Sequence, residues 1–166
     1  MATTRGAAGG LDAQRALEHD ANLELARAAK ETGTKVYVLI SSAGADKSSS
    51  LPYLRMKGEI EQSIVDLKFD KTIILRPGMI AGDREVKRPI EVMVGKVGGV
   101  MGCISKPWLR DWWTQDATEI AKAAVNAGMR ALKGTEGEGQ EKVRILGGKD
   151  IIRLGRTEWE EPSSTI

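Results

Sequence analysis

The sequence predicts an α/β fold with a doubly wound parallel sheet, because helical and apolar segments alternate along the chain. Apolar positions recur at roughly helical spacing from Leu11 to Thr32, and Gly33 follows as a helix stop. A short apolar run from Lys35 to Ile40 is typical of a strand buried on both faces of a parallel sheet. A helix over residues 52–68, which Ser50 can cap, and a strand over 72–75 repeat the order, which favours right-handed crossovers.

The C-terminal half continues this order with one more helix and one more strand. Asp116 begins a predicted helix over residues 116–132, and Glu119 follows it as in a capping box. A linker rich in Gly and Glu leads to a strand at Val143 to Leu146. Residues 83–113 read as an irregular excursion. We therefore expect one partial domain over residues 1–155 and a polar tail over residues 156–166.

Length and composition exclude several classes of protein. A chain of 166 residues, 41% hydrophobic and 29% charged, has room for one globular domain. A net charge of +2 does not indicate the strongly basic surface that proteins use to bind nucleic acid. A lone Cys103 and a lone His19 exclude an internal disulfide and a zinc cage. No apolar run approaches the roughly 20 residues that span a bilayer, so we expect any membrane contact to be peripheral.

Chemistry-bearing residues cluster between Val36 and Lys57. Ser41 and Ser42 directly follow a predicted strand, at the edge where parallel α/β sheets bind ligands. Tyr53 and Lys57 lie one helical turn apart, and a cation beside a phenol favours the phenolate that acid-base chemistry needs. Such pairs also occur by chance on solvated helices, so their position after paired serines is what favours chemistry. His19 lies between acidic residues, where a solvated helix face or a local hydrogen bond is expected.

Three short sequence motifs resemble those of a known family: SSAGA at residues 41–45, YLRMK at 53–57 and ILRPG at 74–78. In this order they resemble the atypical short-chain dehydrogenase/reductases. The chain is similar, more narrowly, to the fungal mitochondrial outer-membrane members related to the animal HIV Tat-interacting oxidoreductase-like protein. The resemblance implies the C-terminal part of an NAD(P)-binding Rossmann fold. It also implies an oxidoreductase that acts on an unidentified carbonyl or alcohol.

The resemblance assigns catalytic roles to residues of the cluster. Tyr53 matches the tyrosine that exchanges a proton with the substrate oxygen. Lys57 matches the lysine that holds the nicotinamide ribose and keeps the phenol usable as an acid or base. Ser42, or its neighbour Ser41, matches the serine that orients the substrate carbonyl. NADPH supplies the hydride in this chemistry.

The resemblance also implies further cofactor contacts. The backbone of Arg76, Pro77 and Gly78 matches the turn that borders the nicotinamide, and Thr3 and Thr4 match a strand-end loop beneath the cofactor. The family begins with a strand and a Gly-rich turn that holds the pyrophosphate. The sequence has no such opening, so we expect that the first βαβ units are missing. We also expect that binding of NADP is weak or lost.

The missing units lead to expectations about partners and location. Without neighbours on one side, the Val36 to Ile40 strand becomes an apolar edge through which the chain self-associates. The resemblance implies a peripheral place on the mitochondrial outer membrane, with the cytoplasm as the other possibility. A non-catalytic protein, which uses the NAD(P)-binding fold as a binding or regulatory module at that membrane, is the alternative function.

Overall fold

The computed structural model describes residues 9–81, 114–134 and 141–159, and its centre is a three-stranded sheet flanked by helices. The helices are α1 (Leu11–Arg15), α2 (Ala21–Glu31), α3 (Pro52–Asp66), α4 (Ala117–Lys133) and α5 (Gly148–Ile152), and π-helical turns follow α1 and α5 as π1 (Ala16–Asp20) and π2 (Arg153–Thr157). The strands are β1 (Val36–Ile40), β2 (Lys71–Leu75), β3 (Met79–Ala81), β4 (Thr114–Asp116) and β5 (Val143–Leu146). Thr3, Thr4 and the predicted excursion over residues 83–113 lie outside the described residues.

The main sheet has the strand order β1-β2-β5, and both neighbouring pairs are parallel. Helix α3 crosses over from β1 to β2, so the carboxyl ends of these strands meet at one edge of the sheet. Strands β3 and β4 form a separate parallel pair. This arrangement is that of part of a Rossmann-like fold, and the predicted α/β class with parallel strands is confirmed.

Strand β1 lies at an edge of this sheet among the described residues. The carbonyl of Lys35 accepts a backbone hydrogen bond from β2 at 3.0 Å, and the amide of Ser41 donates one at 2.7 Å. Between Lys35 and Ser41, every second residue of β1 has its amide on the side away from β2. The predicted burial of the strand on both faces is confirmed only for Leu39. It is wrong for Ile40, which is 45% exposed, and Val36, Tyr37 and Val38 are half-buried, because an edge strand is less completely covered than a central one. Self-association through this edge stays a prediction.

An apolar core covers each face of the sheet. The core on one face joins α2 and α3 to the sheet and contains Ala26, Leu39, Ile60, Ile64, Phe69 and Ile74. The core on the other face joins α4, α5 and π2 to the sheet and contains Ile73, Leu75, Ile120, Ala123, Ala127, Leu146, Ile151 and Leu154. Each fully buried Ile or Leu side chain stabilises the fold by about 1.5–3 kcal/mol, so the two cores hold the strand ends in place. None of the described helices is long and apolar enough to cross a membrane.

The predicted first helix is present, but a π-helical turn changes its buried face. Its last helical residue is Glu31, and Gly33 follows as the predicted stop with a φ of +83°, which is in the left-handed region. Leu17 and Leu25, which the helical pattern places on the apolar face, are 43% and 58% exposed. Ala26, another position of the apolar pattern, is buried as predicted, whereas the charged Glu18 is buried against the pattern. The physical reason is that a π turn inserts a residue into the helix and shifts the phase of the residues on either side.

The two predicted helix caps differ in outcome. Asp116 is the N-cap of α4, as predicted, and its carboxylate accepts a hydrogen bond from the amide of Thr118 at 2.7 Å. The predicted cap of α3 by Ser50 is wrong, because Leu51 occupies the N-cap position without a side-chain hydrogen bond to the helix. The hydroxyl of Ser49 accepts from the Leu51 amide instead, at 3.2 Å.

The cap of α4 predicts a pH dependence of stability. The hydrogen bond from Thr118 lowers the pKa of Asp116 below its ordinary value of 3.8. A carboxylate with a depressed pKa in the folded state stabilises fully above the unfolded-state pKa and loses its contribution as pH falls through the folded-state pKa. We expect Asp116→Asn, which keeps a cap but does not titrate, to weaken the acid dependence of the unfolding free energy. Identical dependence in urea denaturation of both proteins would contradict this.

Candidate active site

The predicted serines lie where β1 and β2 end. The amide of Ser41 donates to the carbonyl of Leu75 at 2.7 Å, and the amide of Ala43 donates to that of Pro77 at 2.8 Å. Ser41 is 6% exposed, and its hydroxyl has no hydrogen-bond partner in the part of the chain that the structure describes. Ser42 is half-buried and donates a long hydrogen bond of 3.4 Å to its neighbour. The hydroxyl of Ser41 is therefore uncommitted.

The loop from Ser41 to Lys47 is also attached to α3. Gly44 has a φ of +77° and turns the chain towards the helix. The amide of Asp46 donates to the carbonyl of Leu54 at 3.1 Å. At Gly58 a Cβ atom would lie 2.2 Å from the amide nitrogen of Lys47, so only glycine allows this contact between loop and helix. Strand β2 and helix α3 together position the serine loop.

The structure brings Tyr53 and Lys57 together, as their spacing predicts. The Lys57 ammonium lies over the Tyr53 ring, with Nζ 5.7 Å from the ring centroid. Tyr53 is 38% exposed and Lys57 only 3%. An accessible phenol therefore lies against a buried cation at the start of α3.

Glu18 is a site residue that sequence reasoning missed. Its Oε2 atom lies 2.6 Å from Nζ of Lys57, and Glu18 itself is only 1% exposed. The side chain of Gln14 donates to the other carboxylate oxygen at 3.1 Å. The expected solvated face around His19 is therefore wrong for Glu18, whereas His19 does have the expected local hydrogen bond, to Asp20 at 2.8 Å. The available signal was the helical spacing of Gln14 and Glu18, which places both polar side chains on one face.

Arg76 joins the end of β2 to α3 through its side chain. Its Nε and one terminal nitrogen donate to the two carboxylate oxygens of Glu61 at 3.0 and 2.5 Å. These hydrogen bonds raise the pKa of the Arg76 guanidinium. Pro77 is fully buried and Gly78 half-buried in the turn that follows. The predicted contact of this turn with a nicotinamide stays a prediction.

A cleft of about 380 Å³ lies beside the Arg76–Glu61 pair, between α3 and the sheet. Its apolar wall includes Ile74 of β2 and Val143 of β5. The four predicted catalytic residues do not line it, so this cleft is separate from the Tyr53 surface.

Comparison with known proteins identifies relatives over nearly the whole chain, although no family model matches it. The chain is 68% identical over 163 residues to "Protein FMP52, mitochondrial" of Coccidioides immitis, which covers 98% of the chain and 66% of that protein. It is 56% identical to "Protein fmp52, mitochondrial" of Aspergillus niger, over 93% of the chain and 65% of that protein. Identity to "Protein fmp52-2, mitochondrial" of Neosartorya fischeri is 42%, over 97% of the chain and 68% of that protein. The chain spans about two thirds of the length of these relatives, and it belongs to the FMP52 family.

Proposed function

We propose that the chain carries the proton-transfer centre of an NAD(P)-dependent oxidoreductase of the atypical short-chain dehydrogenase/reductase type. The observation that carries the proposal is the pairing of the accessible Tyr53 phenol with the buried Lys57 ammonium. It lies beside a serine loop at the carboxyl edge of a parallel sheet, where α/β proteins bind ligands. The substrate class is a carbonyl compound or the corresponding alcohol.

Each side chain has a defined part in this proposal. The Tyr53 hydroxyl donates a proton to a carbonyl oxygen in reduction and takes it back from an alcohol in oxidation. The Lys57 ammonium stabilises negative charge on the phenol oxygen and has further N–H donors for a ribose hydroxyl. The hydroxyl of Ser42, which is half-buried, or that of its buried neighbour Ser41 donates to the substrate oxygen. NADPH, when bound, supplies the hydride.

The cofactor is part of the proposal, with weak affinity. The Lys57 ammonium fits a nicotinamide ribose in chemical type, and a hydroxyl of the Ser41–Ser42 pair fits a carbonyl oxygen. The sequence lacks a strand followed by G-x-x-G-x-x-G, the usual source of amides for the pyrophosphate. We therefore expect this chain to bind NADP(H) weakly, so that its activity requires a high concentration of NADPH.

The names of the relatives support a mitochondrial location for this chain. The resemblance to outer-membrane proteins makes peripheral contact with that membrane the more specific proposal. A second candidate function, a non-catalytic NAD(P)-fold protein with a binding or regulatory role there, is favoured by one observation. Glu18 already neutralises the charge of Lys57, as expected if the cation serves only to stabilise the fold.

Replacement of Tyr53 separates the two candidates. We expect Tyr53→Phe to lower the rate of NADPH oxidation, with aldehydes and ketones as substrates, by about 10²–10⁴-fold, because the group that transfers the proton is lost. Absorbance of NADPH measures the rate, and calorimetry measures NADPH binding. Tyr37→Phe is the control, since Tyr37 is the second of the two tyrosines and stacks on Phe69 at 4.9 Å. Equal rates in wild type and Tyr53→Phe would remove Tyr53 from the mechanism and favour the non-catalytic protein.

A further inference from the structure

The strongest feature that the predicted roles do not use is the buried carboxylate of Glu18. Glu18 and Lys57 are 1% and 3% exposed, and their charged atoms lie 2.6 Å apart. An ammonium without water needs a counter-charge, because burial of an isolated charge is strongly unfavourable. Glu18 provides that counter-charge from another helical segment.

Glu18 is itself held in place by neighbouring side chains. The Gln14 amide donates to the carboxylate oxygen that does not face Lys57, at 3.1 Å. The side chain of Asn22 donates to the backbone carbonyl of Glu18 at 2.9 Å. The π1 turn exposes the adjacent Leu17 and turns Glu18 towards α3. These hydrogen bonds restrict the movement of the Glu18 side chain, so its carboxylate can hold the ammonium of the flexible Lys57 side chain in one position.

We propose that Glu18 is a positioning residue for the reaction, which holds the Lys57 ammonium at the ring of Tyr53. This inference rests on the proposed function. An ammonium has three N–H donors, so the ion pair with Glu18 fixes the position of the group and leaves donors that act on the phenol and a ribose hydroxyl. Glu18 contacts Lys57 and has no direct part in the proton transfer. A carboxylate on π1 thus completes the Tyr/Lys/Ser centre.

Glu18→Gln tests this role, because it removes the charge and keeps the shape of the side chain. We expect kcat for carbonyl reduction to fall about 100-fold, which is the typical cost of misplacing a catalytic group by about 1 Å. The KM for the carbonyl substrate stays unchanged, since Glu18 does not touch it. Glu18→Asp, which keeps the charge, restores part of kcat.

A second measurement reports on Lys57 without any activity. An amine-reactive ester, followed by mass spectrometry, gives the acylation rate of each lysine. We expect Lys57 to react slowly in the wild type and faster in Glu18→Gln, since an unpaired ammonium moves towards water. The matched control is Glu59→Gln, which removes an exposed ion pair with Arg15 between the same two helical segments. It leaves both kcat and Lys57 acylation unchanged.

The outcomes separate this inference from the proposed function. A wild-type kcat in Glu18→Gln, together with loss of activity in Tyr53→Phe, would overturn the role of Glu18 and leave the proposed function intact. A wild-type protein without activity would overturn both. If Glu18→Gln does not fold, Glu18→Asp decides, and a kcat equal to that of the wild type would overturn the inference.

Discussion

We expect Lys57→Met to lower the free energy of unfolding by about 3–5 kcal/mol, because it leaves the carboxylate of Glu18 buried without a counter-charge. Glu18→Gln has a similar cost for the opposite reason, since it leaves an unpaired ammonium. Both groups are almost fully removed from water, which makes this the largest electrostatic effect that we expect in the described residues. Urea denaturation of each purified variant measures the change.

The double variant Glu18→Gln/Lys57→Met distinguishes a buried pair from two independent contacts. Removal of both charges leaves none uncompensated, so we expect the double variant to recover most of the lost stability. Removal of the exposed Arg15–Glu59 pair, as a control, changes the unfolding free energy by about 1 kcal/mol at most. Additive costs in the double variant would show that the two charged groups do not interact across the 2.6 Å contact.

Local patterns predicted the order of the elements well. The helices and strands around the serine loop depend on apolar spacing within single segments, which the sequence displays directly. Tyr53 and Lys57 meet because they are one turn apart on a helix, and that relation needs no tertiary information. Strands β3 and β4 were missed because three residues are too few to show alternation.

The remaining features depend on how distant segments pack. Glu18 meets Lys57 only after the first helical segment docks on α3, and the π1 turn changes the face that docks. No spacing within one segment reveals either event. The sequence also left Ser41 and Ser42 as alternatives for the substrate oxygen. Their burial differs because the amide of Ser41 continues the bonding to β2, which leaves the Ser41 hydroxyl buried, and this favours the half-buried Ser42 for contact with a substrate.

Gly58→Ala tests whether the contact between α3 and the serine loop holds the site together. The added Cβ would lie 2.2 Å from the backbone of Lys47 and 2.3 Å from that of Asp46. Backbone atoms cannot turn aside as a flexible side chain does, so the loop must move away from the helix. We expect a loss of about 1–3 kcal/mol in unfolding free energy, a typical cost of overpacking. We also expect faster hydrogen exchange of the loop amides, because the amide of Asp46 bonds to α3.

Gly128→Ala is the matched control, since Gly128 also lies within a helix and packs against the sheet. Among the described residues, its added Cβ would meet only a methyl group of Val38, at 3.3 Å, and a small shift of that side chain accommodates it. Both variants gain the higher helix propensity of alanine, about 1 kcal/mol, so the difference between them isolates the clash with the loop. Equal stability and equal loop exchange in the two variants would mean that the loop adapts freely. In that case the position of Ser41 and Ser42 would depend on the hydrogen bonds to β2 and its following turn alone.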